Sequence, residues 1–451
     1  MQRSRLPRFL QRLGFPQILG LLTAFLLVIA LIVILFQPAK PVTLSFVVPN
    51  NEAKYWKPLI DQFEAKKPSI HIDLANYRKS NPVSPDSTDH LKETYITAFE
   101  STKPYDLIYM DIIWVPEFAA AERLLDLSSE FPQKDLKQEF LVSDVDNGLY
   151  SNKLYRIPFR TDLGVLYYRK DLLEGLDNKK LETFEDLIRI SQTLQSQQKV
   201  DFGYLWQGRR SEGLVAMFIE VLEGYGGFWI KPENHQVGLD AQEAIQAVNF
   251  LRETIDKGIS PPGITTYEEE TTHRLFRDGK AAFMRNWPNV WIDANGANSS
   301  ISGNIAIQPM VHATGKKSSA CKGGWGFGIA KTTKHKKEAV QAIKFFTSAA
   351  SQRQFTLKYG SVPSRRKLFF DPKIVARYSH YPDLLTMIDH DWVARPRIPQ
   401  YAQASCILQK YLSAALTQPN ENGYLNPQEA MPSAAQETRQ LLATGQSNCK
   451  L

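Results

Sequence analysis

Seven short strings in this chain mix acidic, basic and aromatic residues. They are NNEAKYW (50–56), MDIIW (110–114), FRTDLGVLYYRKDLL (159–173), WQGRRSEGL (206–214), RNWPNVW (285–291), GGWGFG (323–328) and ARPRIPQY (394–401). Carboxylates and guanidinium groups hydrogen-bond to hydroxyls, and aromatic rings pack against an apolar C–H face. A sugar presents both kinds of surface, so the strings together predict a cleft that binds a sugar.

Taken singly, each string also has a simpler explanation. Asp111 ends a predicted strand, where a carboxylate would also cap the helix that follows. Trp287 precedes Pro288, where packing alone would account for an indole. The acidic run 268–270 is expected to be a solvated helix start rather than a carboxylate cluster.

The composition favours neither a metal, nor a cofactor, nor a nucleic-acid partner. The net charge of +7 includes four arginines within the first twelve residues, and the remaining basic residues form no concentrated patch. There is no CxxC or HExxH string, and Cys321, Cys406 and Cys449 lack the spacing of a zinc site. One disulfide is possible in an oxidising compartment, with no pair designated by the sequence. Three unpaired cysteines are the favoured expectation.

Strand-like and helix-like segments alternate along most of the chain, which predicts an α/β fold. Alternation of this kind places ligands at the carboxyl ends of strands. Apolar runs predict strands at 43–48, 70–75, 106–111, 164–169, 281–285, 305–310 and 324–330. Helical spacing predicts helices around 56–63 and at 89–101, 212–227, 241–257 and 336–347, and the polar stretch 76–89 predicts a loop.

The N-terminus predicts a membrane anchor. Residues 18–36 are almost wholly apolar, and a helix of that length approaches the roughly 30 Å hydrocarbon thickness of a bilayer. The arginines lie before this segment, so the short tail is expected in the cytoplasm and the rest of the chain outside it. A cleaved secretory signal is the alternative. An uncleaved anchor is favoured because QPAKP (37–41) lacks a small-x-small cleavage site.

In this order the seven strings resemble the extracellular solute-binding proteins of ABC importers, of the maltose-binding type and its trehalose/maltose-binding branch in particular. The resemblance covers about 43–441. It implies a two-lobed periplasmic-binding-protein fold of type II, with a hinge that the chain crosses more than once. The expected division is 1–40 as tail and anchor, 41–155 plus about 300–345 as lobe 1, and 156–299 plus about 346–451 as lobe 2.

The resemblance also implies which residues contact the ligand. The three acids are expected to bind sugar hydroxyls, the two indoles to supply stacking faces, the glycine to present its backbone and the arginine to donate hydrogen bonds. These residues are Glu52, Asp111, Asp162, Trp287, Trp325, Gly324 and Arg395.

Two positions depart from the trehalose/maltose pattern. Asn289 stands where that branch tends to have a tyrosine, and the region of Tyr77 to His90 is altered where relatives carry a sugar-contacting arginine. Arg78 is a candidate substitute for that arginine. Both departures concern the identity of the sugar more than the class of ligand.

The predicted function is capture of a disaccharide or similar glucoside, of the trehalose, maltose, sucrose or glucosylglycerol class, by closure of the lobes and delivery to a membrane permease. No covalent step is expected. A glycoside hydrolase is one alternative, since Glu52, Asp111 and Asp162 could supply an acid and a base. A membrane-tethered sugar sensor that signals through a separate partner is the other.

Overall fold

A computed structural model describes residues 41–75, 88–177, 179–417, 423–447 and 449, together with 16, 19, 20 and 22–28 near the N-terminus. Most of the predicted anchor, the predicted cytoplasmic tail and Arg78 lie outside the described residues. Within the described part of the chain, no helix is both long enough and apolar enough to cross a membrane.

Strands and helices alternate through the described chain. The strands are β1 Val42–Val47, β2 Ile70–Ala75, β3 Leu107–Asp111, β4 Leu149–Tyr150, β5 Lys153–Leu154, β6 Ile157–Leu163, β7 Val165–Arg169, β8 Phe202–Leu205, β9 Ala281–Asn286, β10 Ile305–Gln308, β11 Ala320–Ile329, β12 Val362–Pro363 and β13 Trp392–Val393. The helices are α1 Asn50–Lys66, α2 Thr88–Phe99, α3 Val115–Ala120, α4 Gln133–Glu139, α5 Val142–Asp146, α6 Lys170–Glu174, α7 Phe184–Ser196, α8 Glu212–Gly224, α9 Gln242–Asp256, α10 Glu269–Arg277, α11 Trp291–Ala294, α12 Lys336–Phe346, α13 Ala349–Tyr359, α14 Pro372–Arg377, α15 Tyr381–His390, α16 Tyr401–Leu416 and α17 Pro427–Thr444.

All the strands and helices predicted from the sequence are confirmed, with boundaries shifted by a few residues. The largest shift is at α1, which begins at Asn50, six residues before the helix predicted around 56–63. Strand β11 begins four residues earlier than predicted and runs for ten residues. Strand β6 was not predicted, although its residues lie in one of the seven strings, because FRTDL carries charged side chains on a strand that is buried throughout.

Two larger sheets organise the chain. The first has the order β12-β6-β11-β13, in which β13 pairs with the start of β11 at 320–321 and β3 pairs with its later part at 325–329. The second has the order β10-β7-β9-β8. Strands β1 and β2 form a separate parallel pair. The chain passes from the first sheet to the second between β6 and β7, and it returns between β10 and β11.

Helices pack on both larger sheets and complete two α/β layers. Helices α5, α8 and α12 contact the first sheet at β6 and β11, and helices α7 and α10 contact β8 and β9 of the second. The strand pairing bears on the predicted division into lobes. It groups β10 with β7, which favours placing 305–308 with the second lobe. It also groups β6, β12 and β13 with β11, which favours placing those three strands with the first lobe.

A cluster of buried aromatic rings forms the core beneath the first sheet and α1. The Trp56 indole contacts Phe46, Tyr109, Phe159 and Phe327, with ring centroids 4.8–5.7 Å apart. Trp56 is fully buried, so it holds the N-terminal half of α1 against the sheet.

The expectation of three unpaired cysteines is wrong for two of them. Cys406 on α16 and Cys449 form a disulfide with a Cα–Cα distance of 5.9 Å, which joins the C-terminal end of the chain to α16. Cys321 is free and fully buried, and burial raises the pKa of its thiol to about 12. The pairing depends on tertiary proximity across 43 residues, which the sequence does not reveal.

Candidate binding site

One cavity of about 180 Å³ collects all seven residues predicted to contact the ligand. Its lining comes from both larger sheets and from α1, α8 and α10. The lining residues are Pro49, Glu52, Thr88, Asp111, Arg160, Asp162, Glu212, Gly213, Ala216, Glu269, Trp287, Asn289, Gly323, Gly324, Trp325, Tyr359 and Arg395. Their roles in binding remain predictions.

Three of these side chains form a row across the first sheet. In the strand register Trp325 on β11 pairs with Asp111 on β3 at one side and with Arg160 on β6 at the other. Directly paired residues point to the same face of a sheet, so the row faces the cavity as a unit. The sequence placed these residues in three separate strings, and the antiparallel pairing brings them together.

Arg160 holds two of the predicted acids together. Its guanidinium pairs with Glu52 at 2.9 Å between Nη2 and Oε1, and it also pairs with Asp162. Its Nε donates to the Tyr109 hydroxyl at 3.2 Å. The Glu52 carboxylate also accepts from Trp56 Nε1 at 3.3 Å, which ties it to the aromatic core. Buried charges are stable when paired in this way, because unpaired burial costs several kcal/mol.

Asp162 is only partly satisfied. Its side chain lines the cavity, the residue is 5% exposed, and its Oδ1 has no hydrogen-bond partner. Burial raises the pKa of Asp162 to about 6, although the adjacent Arg160 guanidinium lowers it. An unpartnered buried acceptor beside a cavity is a natural partner for a ligand hydroxyl.

Arg395 bridges two acids that line the cavity. Its Nη1 donates to Glu212 at 2.8 Å and its Nη2 donates to Asp111 at 3.3 Å. Glu212 begins α8 and is held by Tyr401 and by Ser405, whose Oγ donates at 2.6 Å. Arg395 therefore links the end of β3 to the start of α8.

Asp111 caps the turn that follows its strand, as its sequence position predicts, and it also lines the cavity. It caps the short 3₁₀ turn 112–114 by accepting from the Ile113 amide at 3.2 Å, and the same carboxylate oxygen accepts from Arg395. The cap fixes the carboxylate at the end of the strand, where it lines the cavity.

The first turn of α2 also meets the first turn of α8. The Asp89 carboxylate accepts from the Glu212 backbone amide, and burial together with the nearby Glu212 charge raises the pKa of Asp89 to about 7. Thr88, the residue before it, lines the cavity. This contact closes one end of the cavity.

Trp287 lies on the second side of the cavity and is half-buried. Its Nε1 donates to Glu269 Oε1 at 3.3 Å, and the Arg285 guanidinium lies 4.2 Å from its ring centroid. Helix α10 begins at Glu269, as the sequence predicts, and Glu270 in its first turn is exposed. Glu269 is the exception within the acidic run 268–270, because it lines the cavity beside Trp287 and is not only part of a solvated helix start.

Two buried ion pairs lie where the chain passes between the sheets. Arg285 and Glu220 pair at 2.6 Å with both side chains fully buried, and Lys322 pairs with Asp144 at 2.9 Å, also fully buried. Glu220 also accepts from the Cys321 amide at 3.0 Å. Gly164 lies between β6 and β7, in the connection from the first sheet to the second. A side chain there would overlap the Glu220 carboxylate, so glycine is required.

Gly324 lies in a backbone conformation that favours glycine. Its φ is 147°, and a Cβ would stand 2.9 Å from the Arg160 carbonyl oxygen. The irregular pairing of β11 and β6 follows directly, between Trp325 and Gly326. The missing side chain leaves the Gly324 backbone at the cavity wall, as the resemblance implies.

Four charged or aromatic lining residues were not among the seven predicted: Arg160, Glu212, Glu269 and Tyr359. Arg160 and Asp162 lie two residues apart on a strand, so their shared face could have been read from the alternation of β6. Glu212 lies in one of the seven strings, but nothing local distinguishes it from the other charged residues there. Among the described residues, no group of three or more His, Cys, Asp or Glu side chains is arranged to hold a metal ion.

Comparison with known proteins agrees with this architecture. The family model described as bacterial extracellular solute-binding protein matches residues 49–353. A probable ABC transporter-binding protein of Deinococcus radiodurans is 28% identical over 326 residues, which cover 70% of this chain and 76% of that protein. The maltotriose-binding protein of Pyrococcus abyssi is 24% identical over 328 residues, covering 72% and 66%.

Solved structures show the same fold. Maltose-bound MalE3 of T. maritima is 31% identical and superposes with a TM-score of 0.79, covering 89% of this chain and 100% of that one. The GacH receptor of Streptomyces glaucescens, at 21% identity and a TM-score of 0.76, shares the fold and covers 90% of this chain. The two α/β layers described above are therefore the lobes of a two-lobed periplasmic-binding-protein fold.

Proposed function

This chain belongs to the family of bacterial extracellular solute-binding proteins, and we propose that it captures a saccharide for an ABC importer. The ligand class is a disaccharide or similar glucoside. The relatives are binding proteins and not enzymes, so capture rather than hydrolysis is the role of the cavity acids. The permease of the importer is the partner that would receive the ligand.

One observation carries this proposal: carboxylates, guanidinium groups and an indole face line one cavity. The acids accept hydrogen bonds from sugar hydroxyls, and Arg395 donates them. Trp287 offers an aromatic face for the C–H surface of a pyranose ring, and Trp325 offers a second apolar contact. The Gly324 backbone lets the ligand approach the sheet closely.

Capture would work by closure of the two lobes on the ligand. The cavity lining combines Glu52 and Asp111 from the first lobe with Trp287 and Glu269 from the second, so a ligand that touches both stabilises the closed arrangement. A ligand shifts such an equilibrium only by its difference in affinity for the two states. The closed, loaded form is the one that docks on the permease, and no bond is made or broken.

We further propose that the folded part lies on the extracytoplasmic side, held there by an N-terminal helix within residues 18–36. The apolar run and the arginines before it support this proposal. Division of the chain into 1–40, lobe 1 (41–155 plus about 300–345) and lobe 2 (156–299 plus about 346–451) is likewise proposed. The strand pairing moves 305–308 to lobe 2, and it moves 157–163, 362–363 and 392–393 to lobe 1. Mass measurement of the protein isolated from membranes tests the anchor, and a start near residue 40 would contradict it.

Thermal denaturation with a panel of saccharides tests the ligand class. A saccharide present at 100 times its Kd adds about 2.7 kcal/mol to the free energy of unfolding, which a thermal shift detects. Calorimetric titration of each active compound then gives its Kd. Arg395→Lys is the variant that tests the site. It keeps the positive charge but loses the two-pronged guanidinium that bonds to both Asp111 and Glu212, and it should weaken binding. A folded protein that no saccharide stabilises at millimolar concentration would refute the proposal.

A further inference from the structure

The indole of Trp325 has little free surface. The residue is 6% exposed, and its ring stacks on Tyr109 with centroids 5.1 Å apart. Trp114 packs edge-on at 5.4 Å, and the Arg160 guanidinium lies 5.3 Å from the ring centroid. A pyranose ring needs one whole aromatic face to stack, and protein groups already surround this one.

Arg160 is held in that position by three partners. Its three nitrogens bond separately to Glu52, Asp162 and the Tyr109 hydroxyl. Moving the guanidinium aside would leave two buried carboxylates without a counter-ion, which is costly in a buried site. A ligand therefore meets Arg160 in place rather than displacing it.

Trp287 presents an aromatic face to the cavity. The cavity is also small. Its volume of about 180 Å³ lies below the roughly 300–1,000 Å³ typical of pockets for larger ligands. The Trp287 ring is half-buried, with Arg285 stacked at 4.2 Å, and Asn289 lines the cavity two residues further along the chain. Tyr359, the third aromatic residue in the lining, packs against Tyr55 and Phe355 with ring centroids 5.0 and 5.3 Å away, so Trp287 offers the stacking position.

We infer that Arg160 sets the size limit of the site, so that the chain prefers a glycoside with one pyranose ring and a small polar aglycone to saccharides of two or more rings. The inference rests on the proposed saccharide-binding function and narrows its ligand class. The single ring stacks on Trp287, and the aglycone hydroxyls reach the free Asp162 Oδ1 and the two remaining N–H groups of Arg160.

Calorimetric titration of the full chain with glucosylglycerol, methyl α-glucoside, maltose and maltotriose tests this inference. We expect the two one-ring glycosides to bind, and maltotriose to bind more weakly than glucosylglycerol by about tenfold or more. Arg160→Lys keeps a positive charge on a narrower head, and Arg160→Gln removes the charge while keeping a donor. In either variant the ratio of the maltotriose Kd to the glucosylglycerol Kd should fall by about fivefold or more.

Arg439→Lys is the matched control, because Arg439 pairs with Asp240 at the surface and does not line the cavity. It should leave that ratio unchanged. Equal or tighter binding of maltotriose by the unmodified chain would overturn the inference while leaving saccharide binding intact. An unchanged ratio in a folded Arg160 variant would also overturn it. Absence of binding to all four compounds by a folded chain would instead count against the proposed function.

Discussion

Replacing Trp325 with alanine should destabilise the fold far more than it weakens binding. The indole lies between β3 and β6 in the first sheet, 94% buried against Tyr109, Trp114 and Arg160. An aromatic side chain buries about 150–250 Å², which at about 25 cal/mol per Å² corresponds to about 4–6 kcal/mol as an upper limit. Measured Trp→Ala changes in cores cost about 3–5 kcal/mol, and we expect that range here.

The assay is chemical denaturation of the sugar-free protein, combined with calorimetric titration of the same preparations. Trp287→Ala is the matched control, since it removes the same side chain from the half-buried wall of the same cavity. It should cost less than about 2 kcal/mol of stability. It should weaken binding by about fivefold or more, because lost stacking is worth on the order of 1 kcal/mol and the hydrogen bond to Glu269 is lost with it.

The two variants should therefore show opposite patterns. Trp325→Ala should lower the denaturation midpoint strongly and leave the Kd of the folded fraction within about twofold of the original, which corresponds to less than about 0.5 kcal/mol. A Trp325→Ala variant of near-normal stability with binding lost would refute the packing argument. It would show instead that the indole is open to the ligand in the sugar-free state, as the sequence resemblance implies.

Three further predictions concern stability. Burial raises the pKa of Asp162 from 3.8 to about 6, so protonated Asp162 stabilises the fold below pH 3.8 and this stabilisation is lost as pH rises through 6. The free energy of unfolding of Asp162→Asn, relative to that of the unmodified chain, should therefore increase by at most about 3 kcal/mol between pH 4 and pH 7 in denaturation experiments. No increase would contradict the burial argument. Gly164→Ala should cost about 3 kcal/mol or more, because its Cβ would overlap the buried Glu220 carboxylate, and an unchanged melting temperature would show that the connection can shift. Replacing Cys406 and Cys449 by serine should lower the free energy of unfolding by about 4 kcal/mol, because the disulfide closes a loop over 43 residues in the unfolded chain. Reduction of the unmodified chain should lower it by a similar amount, and no change on reduction would show that the disulfide is absent in solution.

The sequence was informative where the signal is local. Apolar alternation and helical spacing predicted the elements that were confirmed, since backbone conformation at this level follows from neighbouring residues. The order of seven mixed-charge strings also indicated which residues would share a cavity. Strand β6 was not predicted, because a buried strand that carries Arg160 and Asp162 does not look apolar, and their charges are tolerated only through partners elsewhere in the chain.

Those partners are what only the tertiary structure decided. Arg160 bonds to Glu52 across 108 residues and Arg395 bonds to Glu212 across 183, and no local pattern reports which charge will neutralise which. The sequence by itself therefore determined the fold class, the family and seven of the residues that line the cavity. The depth of Trp325, the raised pKa of Asp162 and the place of Glu269 in the wall followed from packing, because burial and ion pairing arise between segments that meet only when the chain has folded.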